Sequence, residues 1–328
     1  MHKGRFAMSI TLSSYFAPFL TEMMEIKHNS GFSLKYMDSH INEFDVFCCK
    51  NFPIKQQLDR ELVEAWIYST KSKSRQELKK RIQTMCHLAN HFESLGISAY
   101  QCPIRAKIPK SAEPHIFTDN QLTEFFLVCD SFEPVSFPRY QHILLPVLFR
   151  VIYCCGLRNS EACNLKYSDV NLSNGTIKII ASKGRKDRIV YLPQDLLELC
   201  KKYDKAMKLM LPSRGYFFPS HYHKHFINST ICGIFNRLLK KTSFYGKTSK
   251  KPTCHALRHT FAVNSMRQCI ASGSNFDSYI QYLSKYMGHS SPNETMYYLH
   301  MAVNIIPELR EKANNFEDII GGVSYVEE

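Results

Sequence analysis

The sequence HALRHT at residues 255–260 places a histidine and an arginine three positions apart. On a helix, residues at this spacing share one face, which predicts that His255 and Arg258 lie side by side. An arginine guanidinium can bind two nonbridging oxygens of a phosphate at once. The stretch therefore predicts a helix that contributes to a phosphate-binding site.

Three further groups of residues extend this pattern along the chain. GLRNSE at 156–161 holds Arg158 and Glu161, again three apart, Lys183 lies in a predicted hairpin, and GHSS at 288–291 holds His289. Tyr298 follows nine residues after His289. Two arginines can position a phosphodiester and stabilise the added charge of a pentacoordinate transition state, and a phenol can act as a nucleophile.

The charge distribution favours a polyanionic partner. The chain has 42 Lys and Arg against 29 Asp and Glu, a net charge of +13. Residues 205–276 contain 12 Lys and Arg and neither Asp nor Glu. A merely solvated surface would mix both signs, so this segment predicts contact with the phosphate backbone of nucleic acid.

The first hundred residues predict a small helical bundle. Apolar residues recur at steps of three and four after the capping box formed by Ser74 and Glu77. Residues 9–28, 32–50 and 59–70 predict three earlier helices. From 101 to 115 prolines alternate with basic residues, which predicts an extended domain boundary.

The remaining sequence predicts a mostly helical domain with a small antiparallel sheet. A second capping box, Thr118 with Gln121, begins a helix, and residues 143–155 are apolar enough for a buried one. Residues 176–181 and 188–192 are rich in β-branched side chains and flank a basic tip at 182–187, as in a β-hairpin. The predicted fold class is mainly α, with an α+β catalytic part.

Composition excludes several classes of protein. A chain of 328 residues, 44% hydrophobic and 22% charged, predicts two globular domains. It contains no apolar run of about 18 residues, so an integral membrane protein is excluded, and residues 6–20 are too polar for a secretory signal. The 12 cysteines include the adjacent pairs Cys48-Cys49 and Cys154-Cys155, which are poor disulfide partners. They predict reduced thiols and a cytoplasmic location.

In order and spacing the motifs resemble those of the tyrosine recombinase, or phage integrase, family. The family's ordered set of Arg, hairpin Lys, His-x-x-Arg, His or Trp, and Tyr is matched here by Arg158, Lys183, His255, Arg258, His289 and Tyr298. The resemblance implies a helical core-binding domain at 1–102, a basic linker at 103–115 and a catalytic domain at 116–328.

The resemblance also implies the chemistry. Tyr298 attacks the scissile phosphate and forms a 3′-phosphotyrosyl link, while Arg158 and Arg258 hold the phosphate and His289 hydrogen-bonds it. Lys183 protonates the leaving 5′-oxygen and His255 assists deprotonation of the phenol. Neither a metal ion nor another cofactor, nor ATP, is implied.

The partner implied by the resemblance is double-stranded DNA, bound by a homotetramer on two synapsed sites. A helix within 305–320 would dock on a neighbouring subunit, and accessory DNA-bending proteins are possible further partners. The expected task is integration or excision of a mobile element.

Other functions remain open from sequence alone. A type IB topoisomerase shares this chemistry, and a recombinase fold without catalytic activity could serve as an accessory DNA-binding factor. A metallohydrolase built on His255, His259 and His289 is a more distant alternative, because carboxylates are scarce nearby.

Individual residues also have alternatives. Arg158 could pair with Glu161 on a helix surface, and His255 could be a core histidine. Arg185 and Lys186 compete with Lys183, and Tyr297 with Tyr298, although the family spacing favours the residues named first. His221, His223 and His225 could bind a metal ion, but DNA contact or exposure is favoured for them. Cys254 could be a nucleophilic thiol, but packing in the core is favoured for it.

Overall fold

The computed structural model describes residues 12–30, 37–69, 75–103, 114–133, 140–180, 187–220, 224–289 and 298. The chain divides into two compact units, Met1–Lys110 and Ser111–Glu328. Eleven α-helices and three short strands lie within the described ranges, which confirms the predicted mainly helical fold class with a small antiparallel sheet. None of these helices is both long and apolar enough to cross a membrane.

The first unit contains four helices around an aromatic core. They are α1 Ala17–Asn29, α2 Met37–Asn51, α3 Arg60–Tyr68 and α4 Arg75–Ser94. Phe16, Phe44, Trp66 and Phe92 are completely or almost completely buried and pack against one another across the bundle. The periodic apolar positions of α4 therefore bury one face, as the sequence predicts.

The first helix begins later than the sequence predicts. Residues 12–16 are not helical, and α1 starts at Ala17 with Pro18 in its first turn. A proline ring is compatible with the first turn because the amide hydrogens there have no partner within the helix. The prediction of a helix through 9–16 is wrong for residues 12–16, and residues 9–11 lie outside the described ranges.

The second unit contains seven helices and the sheet. The helices are α5 Asp119–Asp130, α6 Gln141–Cys154, α7 Asn159–Cys163, α8 Gln194–Met210, α9 Asn228–Leu239, α10 Ala256–Ala271 and α11 Phe276–Met287. Eight of the fourteen residues of α6 are buried, and the helix contacts α5, α7, α8 and α10. The apolar run at 143–155 is therefore the central helix of this unit.

The start of α5 and the antiparallel sheet both follow the sequence predictions. Thr118 Oγ1 accepts from the Gln121 amide at 3.3 Å and Gln121 Oε1 accepts from the Thr118 amide at 3.1 Å, which confirms the capping box. Strand β1 Val170–Asn171 pairs antiparallel with β2 Thr176–Ile179, and β2 pairs antiparallel with β3 Arg188–Tyr191. The hairpin is confirmed, while its tip, with Lys183, lies outside the described residues.

Gly156 permits a close approach between the end of α6 and α10. Its φ is +60°, and a Cβ at this position would lie 2.4 Å from the ring of Phe261. Any larger residue would therefore combine backbone strain with overlap against an aromatic ring.

We expect Gly156→Ala to lower the free energy of unfolding of the second unit by about 2 kcal/mol. Urea denaturation of the variant and the parent protein measures this difference. The control is Gly233→Ala in α9, where a Cβ would meet no atom within 4 Å. This helical substitution should leave stability unchanged or raise it by up to about 1 kcal/mol. Equal stability of the Gly156→Ala variant and the parent would contradict the packing described here.

Candidate active site

Arg258 is a buried arginine in the first turn of α10. Its side chain is 1% exposed, and its guanidinium donates to the carbonyl oxygens of Gly156 at 2.6 Å and Met287 at 2.8 Å. It also hydrogen-bonds the Tyr298 phenol. Burial lowers the pKa of Arg258, yet an arginine stays charged in proteins. The helix therefore holds a fixed positive charge beside a tyrosine.

Arg158 lies at the N-cap position of the short helix α7. Its Nη1 donates to Glu161 Oε1 at 3.1 Å and its Nη2 to the carbonyl oxygen of Gly288 at 2.8 Å. The Arg158 amide donates to Glu161 Oε2 at 2.9 Å. The predicted pairing with Glu161 is present, but the arginine also reaches across to the end of α11 and is no isolated surface pair.

Glu161 is shared by two arginines. Arg188 of β3 donates to both of its carboxylate oxygens, at 2.8 and 2.7 Å. Burial raises the pKa of Glu161, but the hydrogen bonds and charge of Arg188, the amide of Arg158 and the charge of Arg258 together hold that pKa below its ordinary value. The carboxylate is therefore ionised and fully engaged.

Three histidines lie next to the arginines. His255 is the N-cap residue of α10, His259 lies one turn further along, and their rings meet at right angles with centroids 4.6 Å apart. His289 follows α11.

The three histidine rings are neutral at neutral pH. Burial, reinforced by nearby positive charges, lowers the pKa to about 4 for His255, about 2 for His259 and about 3 for His289. A neutral imidazole has one nitrogen that accepts a hydrogen bond and one that donates. A neutral ring can therefore hydrogen-bond a phosphate without adding charge, whereas a ring that accepts a proton becomes positively charged.

Tyr298 is buried against two of these histidines. It is 5% exposed, and its ring is parallel to that of His289, with an interplanar angle of 3° and centroids 5.3 Å apart. The His259 ring lies 5.3 Å away and is tilted by 44°. The tyrosine side chain is therefore held among groups of its own chain, beside Arg258.

The structure thus brings together five of the six residues selected from sequence. Arg158, His255, Arg258, His289 and Tyr298 belong to one site, assembled from the starts of α7 and α10 and the segment after α11. Lys183 lies outside the described residues, as do its alternatives Arg185 and Lys186, the competing Tyr297, His221 and His223, and the segment 305–320.

Sequence reasoning missed Arg188 as a site residue. The signal was available, because Arg188 ends the run KGRKDR at 183–188, whose other basic residues suggested the hairpin tip. It was assigned only to a strand. The structure shows it buried under α11 and bound to Glu161.

Cys254 is a packed thiol. It is 2% exposed and donates to Asn159 Oδ1 at 3.4 Å. A hydrogen bond to Cys232 and burial raise its pKa well above the ordinary thiol range. A thiol nucleophile requires the opposite shift, so the packing interpretation is favoured here.

The arrangement suits phosphoryl chemistry. Two fixed guanidiniums, with neutral imidazoles and a phenol between them, can bind a phosphodiester and accept the charge that builds up during nucleophilic attack. Among the described residues, no group of three or more His, Cys, Asp or Glu side chains has an arrangement suited to a metal ion.

Comparison with known proteins gives consistent matches. The model of the phage integrase family matches residues 116–304, more than half of the chain. The tyrosine recombinase XerA of Pyrococcus furiosus is 32% identical over 232 residues, 70% of this chain and 72% of that protein. A tyrosine recombinase of Agathobacter rectalis is 32% identical over 158 residues, 48% of this chain and 47% of that protein.

Solved structures share the fold at low sequence identity. A lambda integrase dimer bound to a COC′ core site has a TM-score of 0.61 and 16% identity, covering 86% of this chain and 94% of that one. The Tn1549 transposon integrase in complex with transposon right end DNA has a TM-score of 0.61 and 16% identity, covering 89% and 99%.

The lowered histidine pKa values predict an acid-sensitive fold. As the pH falls from about 6.5 to about 4, histidines of the unfolded chain take up protons that His255, His259 and His289 in the folded chain do not, so stability falls. At about pH 5 each such histidine contributes about 2 kcal/mol to this loss. We expect His259→Leu to lose correspondingly less stability between about pH 7.5 and about pH 5 than the parent protein, measured by urea denaturation. An unchanged pH dependence would show that His259 titrates alike in both states.

Proposed function

The chain belongs to the phage integrase family and is a tyrosine site-specific recombinase, and on this premise we propose that it cleaves DNA by attack of the Tyr298 phenol on the scissile phosphate. The product is a 3′-phosphotyrosyl link and a free 5′-hydroxyl. Because the covalent link retains the energy of the phosphodiester bond, rejoining to another strand needs no ATP. The observation that carries the proposal is the contact of Tyr298 with Arg258 and His289 in one buried cluster.

The proposed roles are those that the family resemblance implies, and the environments of the described residues support them. Arg158 and Arg258 have charges that do not titrate near neutrality, and they hold the phosphate. His255 is neutral at neutral pH and assists deprotonation of the phenol by accepting a hydrogen bond from it, and His289 hydrogen-bonds a phosphate oxygen. Lys183, which lies between β2 and β3 in the sequence, donates the proton to the leaving 5′-oxygen.

The proposed partner is double-stranded DNA, joined by a homotetramer of this protein at two synapsed sites. Residues 205–276, which include 12 Lys and Arg and neither Asp nor Glu, support DNA binding, and the lambda and Tn1549 integrases that share the fold are bound to DNA in their structures. The proposed place of action is the cytoplasm, which agrees with the lack of a disulfide among the twelve cysteines, all of which lie in the described ranges. The proposed task is integration or excision of a mobile element.

We expect Tyr298→Phe to abolish the covalent protein–DNA adduct while DNA affinity stays within about threefold, because only the nucleophilic oxygen is removed. The measurement is denaturing electrophoresis of a nicked suicide substrate incubated in EDTA without nucleotide. Label on either side of the break identifies the DNA end that carries protein.

The matched control is Tyr297→Phe, which should form the adduct at the parental rate. Loss of the adduct in Tyr297→Phe but not in Tyr298→Phe would move the nucleophile by one residue. Attachment to the 5′ end, or a need for divalent metal in cleavage itself, would overturn the proposed mechanism.

For Lys183→Ala, cleavage of an ordinary substrate should slow by at least about 10²-fold, because the leaving alkoxide lacks its proton donor. A substrate with a bridging 5′-sulfur releases a thiolate that needs little protonation. This substrate should restore much of the variant's single-turnover rate, while Arg258→Ala, which lacks a phosphate ligand, should stay impaired. If the 5′-sulfur substrate fails to restore the cleavage rate of Lys183→Ala, the proton donor is another group, with Lys186 the next candidate.

A further inference from the structure

Arg188 is a buried arginine to which the proposed reaction assigns no role. Its side chain is 8% exposed, and all three of its nitrogens donate hydrogen bonds. Nη1 and Nη2 bind the two oxygens of Glu161 at 2.8 and 2.7 Å, and Nε binds the carbonyl oxygen of Tyr286 at 2.7 Å. One guanidinium therefore ties β3 to α7 and to the end of α11.

The chain leaves room for this guanidinium at Gly288. The residue has a φ of +67°, and a Cβ there would lie 2.9 Å from Arg188 Nη1 and 3.2 Å from its guanidinium carbon. Only glycine satisfies both the left-handed backbone and this contact. The carbonyl oxygen of Gly288 in turn accepts from Arg158 Nη2, so the same residue contacts both arginines.

The two arginines compete for one carboxylate. The Arg158 guanidinium contacts Glu161 Oε1 at 3.1 Å, whereas Arg188 donates to both carboxylate oxygens, at 2.8 and 2.7 Å. A bidentate pair is the stronger and more directional of the two interactions. Arg188 therefore neutralises most of the Glu161 charge, and the Arg158 guanidinium keeps its own charge available for another anion.

We propose that Arg188 is a positioning residue that, by holding Glu161, keeps the Arg158 guanidinium oriented and charged for the scissile phosphate. The inference rests on the proposed function, because it presupposes that Arg158 binds this phosphate. Arg188 itself does not touch the DNA.

The central experiment compares Arg188→Met with the parent protein. Single-turnover cleavage at saturating DNA should slow by about 10²-fold, since a small misplacement of a substrate-binding group has an effect of this size. DNA affinity should stay within about threefold, because most of the affinity comes from other phosphate contacts.

A matched control separates positioning from general stability. Arg150 in α6 also forms a bidentate pair, with both Nη atoms 2.7 Å from Asp130, and its other described contacts are with Pro146 and Phe126. Arg150→Met removes an arginine–carboxylate pair from the same unit. It should cleave at the parental rate at a temperature where both variants are folded.

A double variant tests whether the unneutralised charge of Glu161 is what slows cleavage when Arg188 is lost. In Glu161→Gln/Arg188→Met the carboxylate charge is gone, while a glutamine oxygen can still accept from the Arg158 amide. Because nothing now draws Arg158 away from the phosphate, the double variant should cleave at least about tenfold faster than Arg188→Met. A double variant as slow as Arg188→Met would overturn the proposal.

The pH profile supplies a readout that stability alone would not produce. Glu161 faces Arg158 from its own turn, Arg188 from β3, and Arg258 and the neutral His255 from the start of α10. Without Arg188, burial raises the pKa of this carboxyl, and protonation removes its pull on Arg158. The ratio of Arg188→Met to parental rate should therefore rise from about pH 8 to about pH 6, and the double variant should show no rise.

Two further comparisons distinguish the ways of failing. If a substrate with a bridging 5′-sulfur restores the cleavage rate of Arg188→Met, Arg188 acts on the proton donor Lys183 and not on Arg158, and the proposal is wrong. If Arg158→Ala cleaves normally, the proposed function itself fails at that residue. Normal cleavage by Arg188→Met beside an inactive Arg158→Ala would refute only the positioning role.

Discussion

The guanidinium of Arg258 is almost completely buried, and the second unit is arranged so that this charge has partners. A buried charge without hydrogen bonds is strongly unfavourable, so donors on Arg258 must meet acceptors that cannot move away. The carbonyl oxygens of Gly156 and Met287 supply them from the end of α6 and the end of α11. Their contacts place the starts of α7 and α10 and the segment after α11 around one point.

Glycine makes this convergence geometrically possible. Gly156 lies against Phe261 and Gly288 against Arg188, both with a left-handed backbone. At each position the carbonyl oxygen accepts from an arginine of the site, Arg258 in the first case and Arg158 in the second. The two glycines thus turn the chain where it must also offer a backbone acceptor to a guanidinium.

Much of this arrangement could be predicted from sequence, because helix periodicity, capping residues and ordered motifs are local signals. The hairpin, the capping box at Thr118 and the grouping of Arg158, Arg258 and His289 needed no tertiary information. The helical interpretation of the two motifs was incomplete, since Arg158 and His255 lie at N-cap positions and not inside helices.

Arg188 could not be recognised as a site residue from the local sequence. In the sequence it is one more basic residue beside a basic hairpin tip, and only contacts with residues 27 and 98 positions away distinguish it from its neighbours. The same limit applies to the histidines. An exposed histidine titrates near neutrality, whereas burial beside arginines lowers the pKa of these three and keeps them neutral.

The charges of the site match the proposed reaction. Arg158, Arg188 and Arg258 contribute three positive charges and Glu161 one negative charge, while the three histidines are neutral, so these described residues have an excess of two positive charges, to which the proposed proton donor Lys183 adds one more. A phosphodiester carries one negative charge, and attack by a phenolate raises this to two in the transition state. The site is thus better matched to the transition state than to the bound substrate, which is the condition for catalysis by electrostatic stabilisation. With the substrate bound, the neutral histidines add no charge that would strengthen substrate binding. A phenolic proton that His255 accepts during the attack adds positive charge only in the step in which negative charge develops on the phosphate.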